Sequence, residues 1–214
     1  MEEKNIKKLI SIGANCIGAD FSKSLGIREK GPVDNIAHFN IWKSFSLFDD
    51  TFKKYIFKSK YLIKDSSDIE INKYNFYKKK FIFDSGIMIV HNNFKSYKFK
   101  KSLRKRIRVF KRYYKRSLKD KTLWYLYSLE ISDELLDINR IKQIKESLPP
   151  SCTERMIVLG IRAHNKRFRD VFNYYFELED ETQYKWTDKS QAFSIMKSLE
   201  SEYKINFVLD DVKK

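Results

Sequence analysis

The chain has little of what usually announces a function. Its 214 residues include only two cysteines, Cys16 and Cys152. Two are too few for a disulfide framework, which predicts a reduced, cytoplasmic setting. No run of about 18 uncharged apolar residues occurs, so no transmembrane segment is expected. The opening Met1-Glu2-Glu3-Lys4 leads into a strand-like stretch without the apolar segment of a signal peptide. Glycine is scarce, and Gly13 to Gly18 matches neither the Walker nor the dinucleotide-binding glycine pattern. The three histidines, His38, His91 and His164, stand far from one another and from the cysteines. That spacing gives no zinc site, so neither a metal nor a resident cofactor is expected.

What is present argues for a folded globule. Apolar residues make up 42% of the chain and aromatics 15%, well above a disordered composition. The length suits one α/β domain over residues 1–214, with no internal repeat and no low-complexity linker.

The net charge of +16 is concentrated. Residues 95–119 carry 13 Lys and Arg and no acid, leaving 31 of the 44 cations against all 28 acids elsewhere. One basic element of this kind predicts an anionic partner or substrate. Within it Phe99, Leu103, Ile107, Phe110, Tyr114 and Leu118 recur every three or four residues, the apolar stripe of an amphipathic helix. Arg104, Arg108, Lys111, Arg112 and Lys115 are its candidate anion-binding residues.

Elsewhere, apolar runs alternate with helical patterns. Ile6 to Ile12 reads as a buried strand, Gly13 as a tight turn, and Ile17 to Leu25 as a helix stopped by Gly26. A loop follows to Asn35, then an aromatic helix near Ile41 to Phe57 and mixed signals to Lys78. Phe81 to Val90 reads as a strand or hairpin broken at Gly86, Thr122 to Tyr127 as a buried strand, and Ile138 to Leu148 as a helix ended by Pro149-Pro150. Arg155 to Ile161 and Ile205 to Leu209 read as strands, and Ser190 to Tyr203 as a helix with Phe193, Met196 and Leu199 inward. The alternation predicts a single three-layer α/β domain, a mostly parallel sheet flanked by helices.

Sites in such sheets lie beyond the carboxyl ends of the strands. Four polar groups are expected there: Asn15-Cys16, His91-Asn92, Ser128 to Glu130, and Arg162 to Asn165. Cys16 falls at the strand-to-helix turn, where free amides and the helix dipole favour a thiolate. Two roles fit it, a nucleophile or a small packing residue. A nucleophile needs a base, and His38, His91 and His164 are the candidates. Gly13 and the amides around Asn15 can form an oxyanion hole, with the Asn15 side chain as a further donor; Asn15 also suits a turn.

Three motifs resemble the opening of a bacterial family of papain-like cysteine peptidases: Ser11-Ile12-Gly13-Ala14-Asn15-Cys16, Leu25-Gly26-Ile27-Arg28 and Gly31-Pro32-Val33-Asp34. His91 after its strand and the basic helix around Arg104 to Phe110 resemble later parts of that family, so the likeness reaches about residue 130. Val33 and Asn35 stand where the family has phenylalanine and tryptophan. The turn at Cys16 is also similar to that of capsule-biosynthesis acyltransferase-like proteins that bind coenzyme A. The resemblance implies Cys16 as nucleophile, His91 as base, Asp34 as its orienting carboxylate and Asn15 as an oxyanion donor. The reaction would move an acyl or peptidyl group, from a small acyl or peptide substrate, to water or another acceptor. Coenzyme A could be the donor, its phosphates docking on the basic helix. A contrasting expectation is a non-enzymatic protein that binds nucleic acid or another polyanion through that helix, with Tyr113 and Tyr114 stacking on bases.

Overall fold

The computed structural model describes residues 4–13, 17–31, 36–38, 62–65, 80–83, 87–90, 96–130, 139, 142, 145–146, 150–161, 169–178 and 189–209. The expected aromatic helix near Ile41 to Phe57 lies outside them.

Five strands form one wholly parallel sheet: β2 (Lys8–Ser11), β3 (Arg28–Glu29), β8 (Leu123–Glu130), β9 (Met156–Ile161) and β10 (Tyr174–Leu178). Its spatial order is β10-β9-β8-β2-β3. Numbered by sequence within this sheet, that is 2-1-3-4-5, the doubly wound order of flavodoxin-like folds. A short parallel pair, β1 (Lys4–Ile6) with β11 (Ile205–Phe207), joins the two ends of the described chain. The remaining sheet, β4 (Ile36–His38), β5 (Leu62–Asp65), β6 (Lys80–Phe83) and β7 (Ile87–Val90), is antiparallel in the order β4-β7-β6-β5.

Helices cover both faces of the parallel sheet. On one face α1 (Ile17–Ser24) and α4 (Lys189–Tyr203) pack Ile17, Phe21, Ala192, Ile195, Met196 and Leu199 onto Leu9, Trp124, Leu126, Ile157 and Leu159. Alternation along β8 sends Tyr125 to the other face. There α2 (Tyr97–Ser117) meets it: the Phe110 and Tyr125 rings are 6.4 Å apart, and Ser117 Oγ and Tyr125 Oη share a 2.6 Å hydrogen bond. The α/β, mostly parallel, helix-flanked architecture is as the sequence predicts.

Helix ends follow local chemistry. Beyond α1, Ile27 N–H donates to Ser22 O at 3.1 Å and Gly26 N–H to Lys23 O at 3.0 Å, with Gly26 at φ 73°. That is a Schellman cap, and its left-handed position suits glycine. Beyond α2, Asp120 closes the turn into β8: its Oδ1 accepts from Thr122 N–H at 3.0 Å and from Thr122 Oγ1 at 2.6 Å, and Arg116 Nη2 stands 3.2 Å from Oδ2. These partners hold its carboxyl below the usual value, the Thr122 hydroxyl first.

Several expectations change. Ser128 to Glu130 do not follow β8 but form its last residues, because the strand keeps pairing with β9 through Glu130↔Ile161. Phe81 to Val90 is a hairpin of the antiparallel sheet, so His91 does not follow a strand of the parallel sheet. Leu118 lies past the end of α2 and is 55% exposed, so it is not part of the buried stripe. Pro150 does not merely end a helix; it opens α3 (Pro150–Thr153), a position where its missing N–H costs nothing.

Candidate functional site

The strand order fixes where a site belongs. In doubly wound sheets the crevice opens at the carboxyl edge where the winding reverses. Here that is between β2, which leads to α1, and β8, which enters from the other direction. Gly13 sits at that point, two residues past β2. A Cβ on it would stand 2.3 Å from Ser128 N and 2.9 Å from Tyr127 Cα. Backbone against backbone leaves no room, so only glycine lets the chain leave β2 this close to β8. Sequence reading named Gly13 for its turn; the structure adds the close approach as the reason.

Two hydroxyls share this edge. Ser11, the last residue of β2, is 1% exposed, and its Oγ has no hydrogen-bond partner among the described residues. That Oγ faces the first turn of α1, 3.2 Å from where a Gly18 side chain would begin. Ser128 is fully buried, its Oγ 3.0 Å from a Cβ at Gly13. A buried hydroxyl left without a partner costs on the order of 1–3 kcal/mol. Sequence reasoning passed over Ser11 as a site residue, although a serine between Ile10 and Ile12 in a buried strand was the signal.

Asn15, Cys16, Asp34 and His91 lie outside the described residues, as does His164; His38 ends β4. The elements beside them set the connectivity. Cys16 directly precedes Ile17, the first residue of α1. β3 runs parallel to β2 in the register Ile10↔Glu29, so both strands end at one edge; in the sequence Cys16 follows Ser11 by five residues and Asp34 follows Glu29 by five. β4 and β7 are antiparallel with Ile36↔Ile89. The start of β4 and the end of β7 therefore share one end of that ladder; in the sequence Asp34 precedes Ile36 by two residues and His91 follows Ile89 by two. His38 belongs to the opposite end, across from Ile87. His164 follows β9, two strands from β2.

Cys152 is a different case. It is fully buried in α3, and burial pushes its thiol up to about 12. Its neighbours are packing groups: Tyr114, whose hydroxyl burial also raises, and Arg155, 9% exposed. Arg155 spends its guanidinium on backbone carbonyls, Nη1 donating to Asp120 O at 2.9 Å and Leu123 O at 3.2 Å, and Nε to Ser151 O at 3.2 Å.

The basic helix is partly committed. Leu103, Ile107 and Phe110 are buried, while Arg104, Arg108, Arg112 and Lys115 are exposed and Lys111 is half-buried. Tyr113 and Tyr114 are not on the outer face as expected for base stacking. Tyr113 Oη donates to Glu29 Oε2 at 2.6 Å, which holds α2 to the β3 edge, and Tyr114 packs against Cys152.

A recess of about 400 Å³ lies among Lys142, Lys145, Glu146, Pro150, Asp170 and Val171. These residues precede β9 and β10, so it opens at the amino edge, opposite the switch point. Among the described residues no three His, Cys, Asp or Glu converge as metal ligands, and no helix is long and apolar enough to cross a membrane. No family model, curated protein or solved structure matches the chain.

Proposed function

We propose that the chain is a cysteine-dependent acyl-transfer enzyme, a hydrolase or acyltransferase, working at the carboxyl edge between β2 and β8. One observation carries the reading. β2 and β3 are parallel neighbours that end at one edge, at Ser11 and Glu29, with Cys16 and Asp34 each five residues further along the sequence, and β4 begins at the end of its ladder where β7 finishes. Asp34 is five residues from Glu29, a tether of at most about 17 Å. His164 follows β9, a strand that takes no part in the β4–β7 ladder, so His91 is the preferred base.

In this reading His91 takes the Cys16 proton and Asp34 holds the resulting imidazolium. The thiolate adds to the substrate carbonyl, and the developing oxyanion is met by amides past Gly13 and by Asn15. The bond to the leaving amine, thiol or alcohol breaks, and His91 returns the proton to that group. Water or another acceptor, deprotonated by His91, then cleaves the thioester and restores the thiol. In the acyltransferase form an acyl-coenzyme A thioester is the donor and coenzyme A the leaving thiol.

The test is alkylation rate against pH, resolved by mass spectrometry at each cysteine. Cys16 is expected to react fast well below about pH 8.5, the ordinary thiol pKa. His91→Ala should remove that reactivity and His164→Ala should keep it. A Cys16 no more reactive than buried Cys152 refutes the nucleophile, and loss on His164→Ala alone reassigns the base. Turnover of acyl thioesters or peptides should then vanish in both Cys16→Ala and Cys16→Ser.

A further inference from the structure

The outer face of α2 carries a line of charge that the proposed chemistry does not use. Lys98, Lys101, Lys105, Arg108, Arg112 and Lys115 follow one another at alternating steps of three and four residues. That spacing keeps side chains on one face of a helix. All six are exposed. At 100° per residue they centre about 160° from Leu103, Ile107 and Phe110, the residues that bind α2 to the sheet. The line runs about 26 Å at 1.5 Å per residue. Arg104 and Lys111 flank it.

Nothing on the helix balances this charge. Eleven of its 21 residues are Lys or Arg and none is acidic. The Arg116–Asp120 ion pair lies beyond the line, and none of the six has an ion-pair partner among the described residues. Like charges at such spacing oppose the helix. Lys98 also sits in the first turn, where the helix dipole disfavours cations. A linear polyanion laid along the face turns both costs into attraction.

We propose that this face binds the phosphodiester backbone of nucleic acid without reading its bases. Three observations favour that partner over an anionic membrane. The apolar stripe of α2 is buried against the sheet, so the helix has no apolar face to insert among lipids. The cations form a line rather than a disc, and 26 Å spans about eight phosphates at 3.4 Å per nucleotide of one strand. Tyr97, 74% exposed, stands beside Lys98 at the amino end of the line and offers a ring for one base to stack on.

The experiment is fluorescence anisotropy of a labelled 20-nucleotide single strand and a 20-base-pair duplex with the full chain across a KCl series. Six contacts predict a slope of log affinity on log salt near −4 for the single strand and near −5 for the duplex. Replacing four members of the line together, Lys101→Gln, Lys105→Gln, Arg108→Gln and Arg112→Gln, should cut the single-strand slope by about 3. Replacing Lys23, Lys30 and Lys189 by Gln, exposed cations away from α2, should change it by less than about 1. Circular dichroism of the four-Gln variant should show a melting point no lower than that of the parent, because repulsion is relieved. Cys16 alkylation in that variant should be unchanged, which separates this proposal from the enzymatic one. Binding with a flat salt dependence, or equal loss in both sets of variants, overturns it. Tighter binding to vesicles of 30% phosphatidylserine than to either oligonucleotide, lost in the four-Gln variant, would also overturn it and make the face a membrane contact.

Discussion

Replacing Gly13 by alanine tests the geometry on which the candidate site rests. The new methyl would sit 2.3 Å from Ser128 N, and ordinary contact begins near 3.4 Å, so the end of β2 and β8 must part by about 1 Å. Both sides are backbone in the middle of the sheet, where no side chain can swing aside. Overpacking of this kind costs about 1–3 kcal/mol, and the rigidity here puts the expectation at the upper end. For a chain of this size each kcal/mol lowers the melting temperature by about 2–4 °C, so a fall of roughly 4–12 °C is expected. Gly18→Ala is the internal comparison. Its methyl would meet the Ser11 hydroxyl at 3.2 Å and the Leu126 side chain at 3.3 Å, both of which can yield. It also gains up to about 1 kcal/mol of helix propensity. The comparison variant should therefore stay within about 1 kcal/mol of the parent. Differential scanning calorimetry reads both. A Gly13→Ala protein melting within about 1 °C of the parent, or Gly18→Ala proving the more damaging, would refute the close approach of β2 to β8.

Two further outcomes concern the ends of helices. Gly26→Ala should cost about 1 kcal/mol in urea denaturation, because φ 73° is strained for any residue with a Cβ; Gly26→Asn should cost less. Asp120→Asn should lower stability near neutral pH by about 0.5–1 kcal/mol through the lost charge. The carboxyl's folded value lies below its ordinary 3.8, so its stabilisation is complete above that pH and fades as pH falls through the folded value. The gap between variant and parent should therefore close in acid; a gap that persists unchanged at pH 2 would show that the charge was not its source.

Elements whose signal is local were readable in the sequence, and those whose signal is pairing were not. The stripe of Leu103, Ile107 and Phe110 defines α2, and Gly26 ends α1, without reference to the rest of the chain. β3 could not be found this way. Arg28 and Glu29 carry no apolar pattern and become a strand because Leu9 and Ile10 present an open edge to them. The antiparallel partnership of β6 and β7 is likewise a matter of what lies across, and an apolar run alone does not say whether its sheet is parallel. β10 was missed for another reason. Tyr174-Tyr175-Phe176 had the aromatic content of a strand, and its outer edge is finished by Tyr203, which accepts from Tyr175 N–H at 3.2 Å and donates to Tyr175 O at 2.6 Å. At the candidate site, the turn after β2 was legible from Gly13. The switch point was not, because strand order is a property of the assembled sheet.

The pairing of β2 with β8 and of β1 with β11 also constrains how the protein can be made. Ile10 must wait for Tyr125, and Asn5 for Asn206, 201 residues later. At about 5–20 residues per second, roughly 10–40 s of synthesis separates the two members of that last pair. Until β8 is made, 115 residues after Ile10 and about 6–23 s later at that rate, the apolar strand Leu9-Ile10 has only the two-residue β3 to lean on. A nascent chain stalled before Leu123 should therefore expose an unpaired strand edge to holding chaperones, and loss of the final strand β11 should be felt first at the opposite end of the chain, in β1.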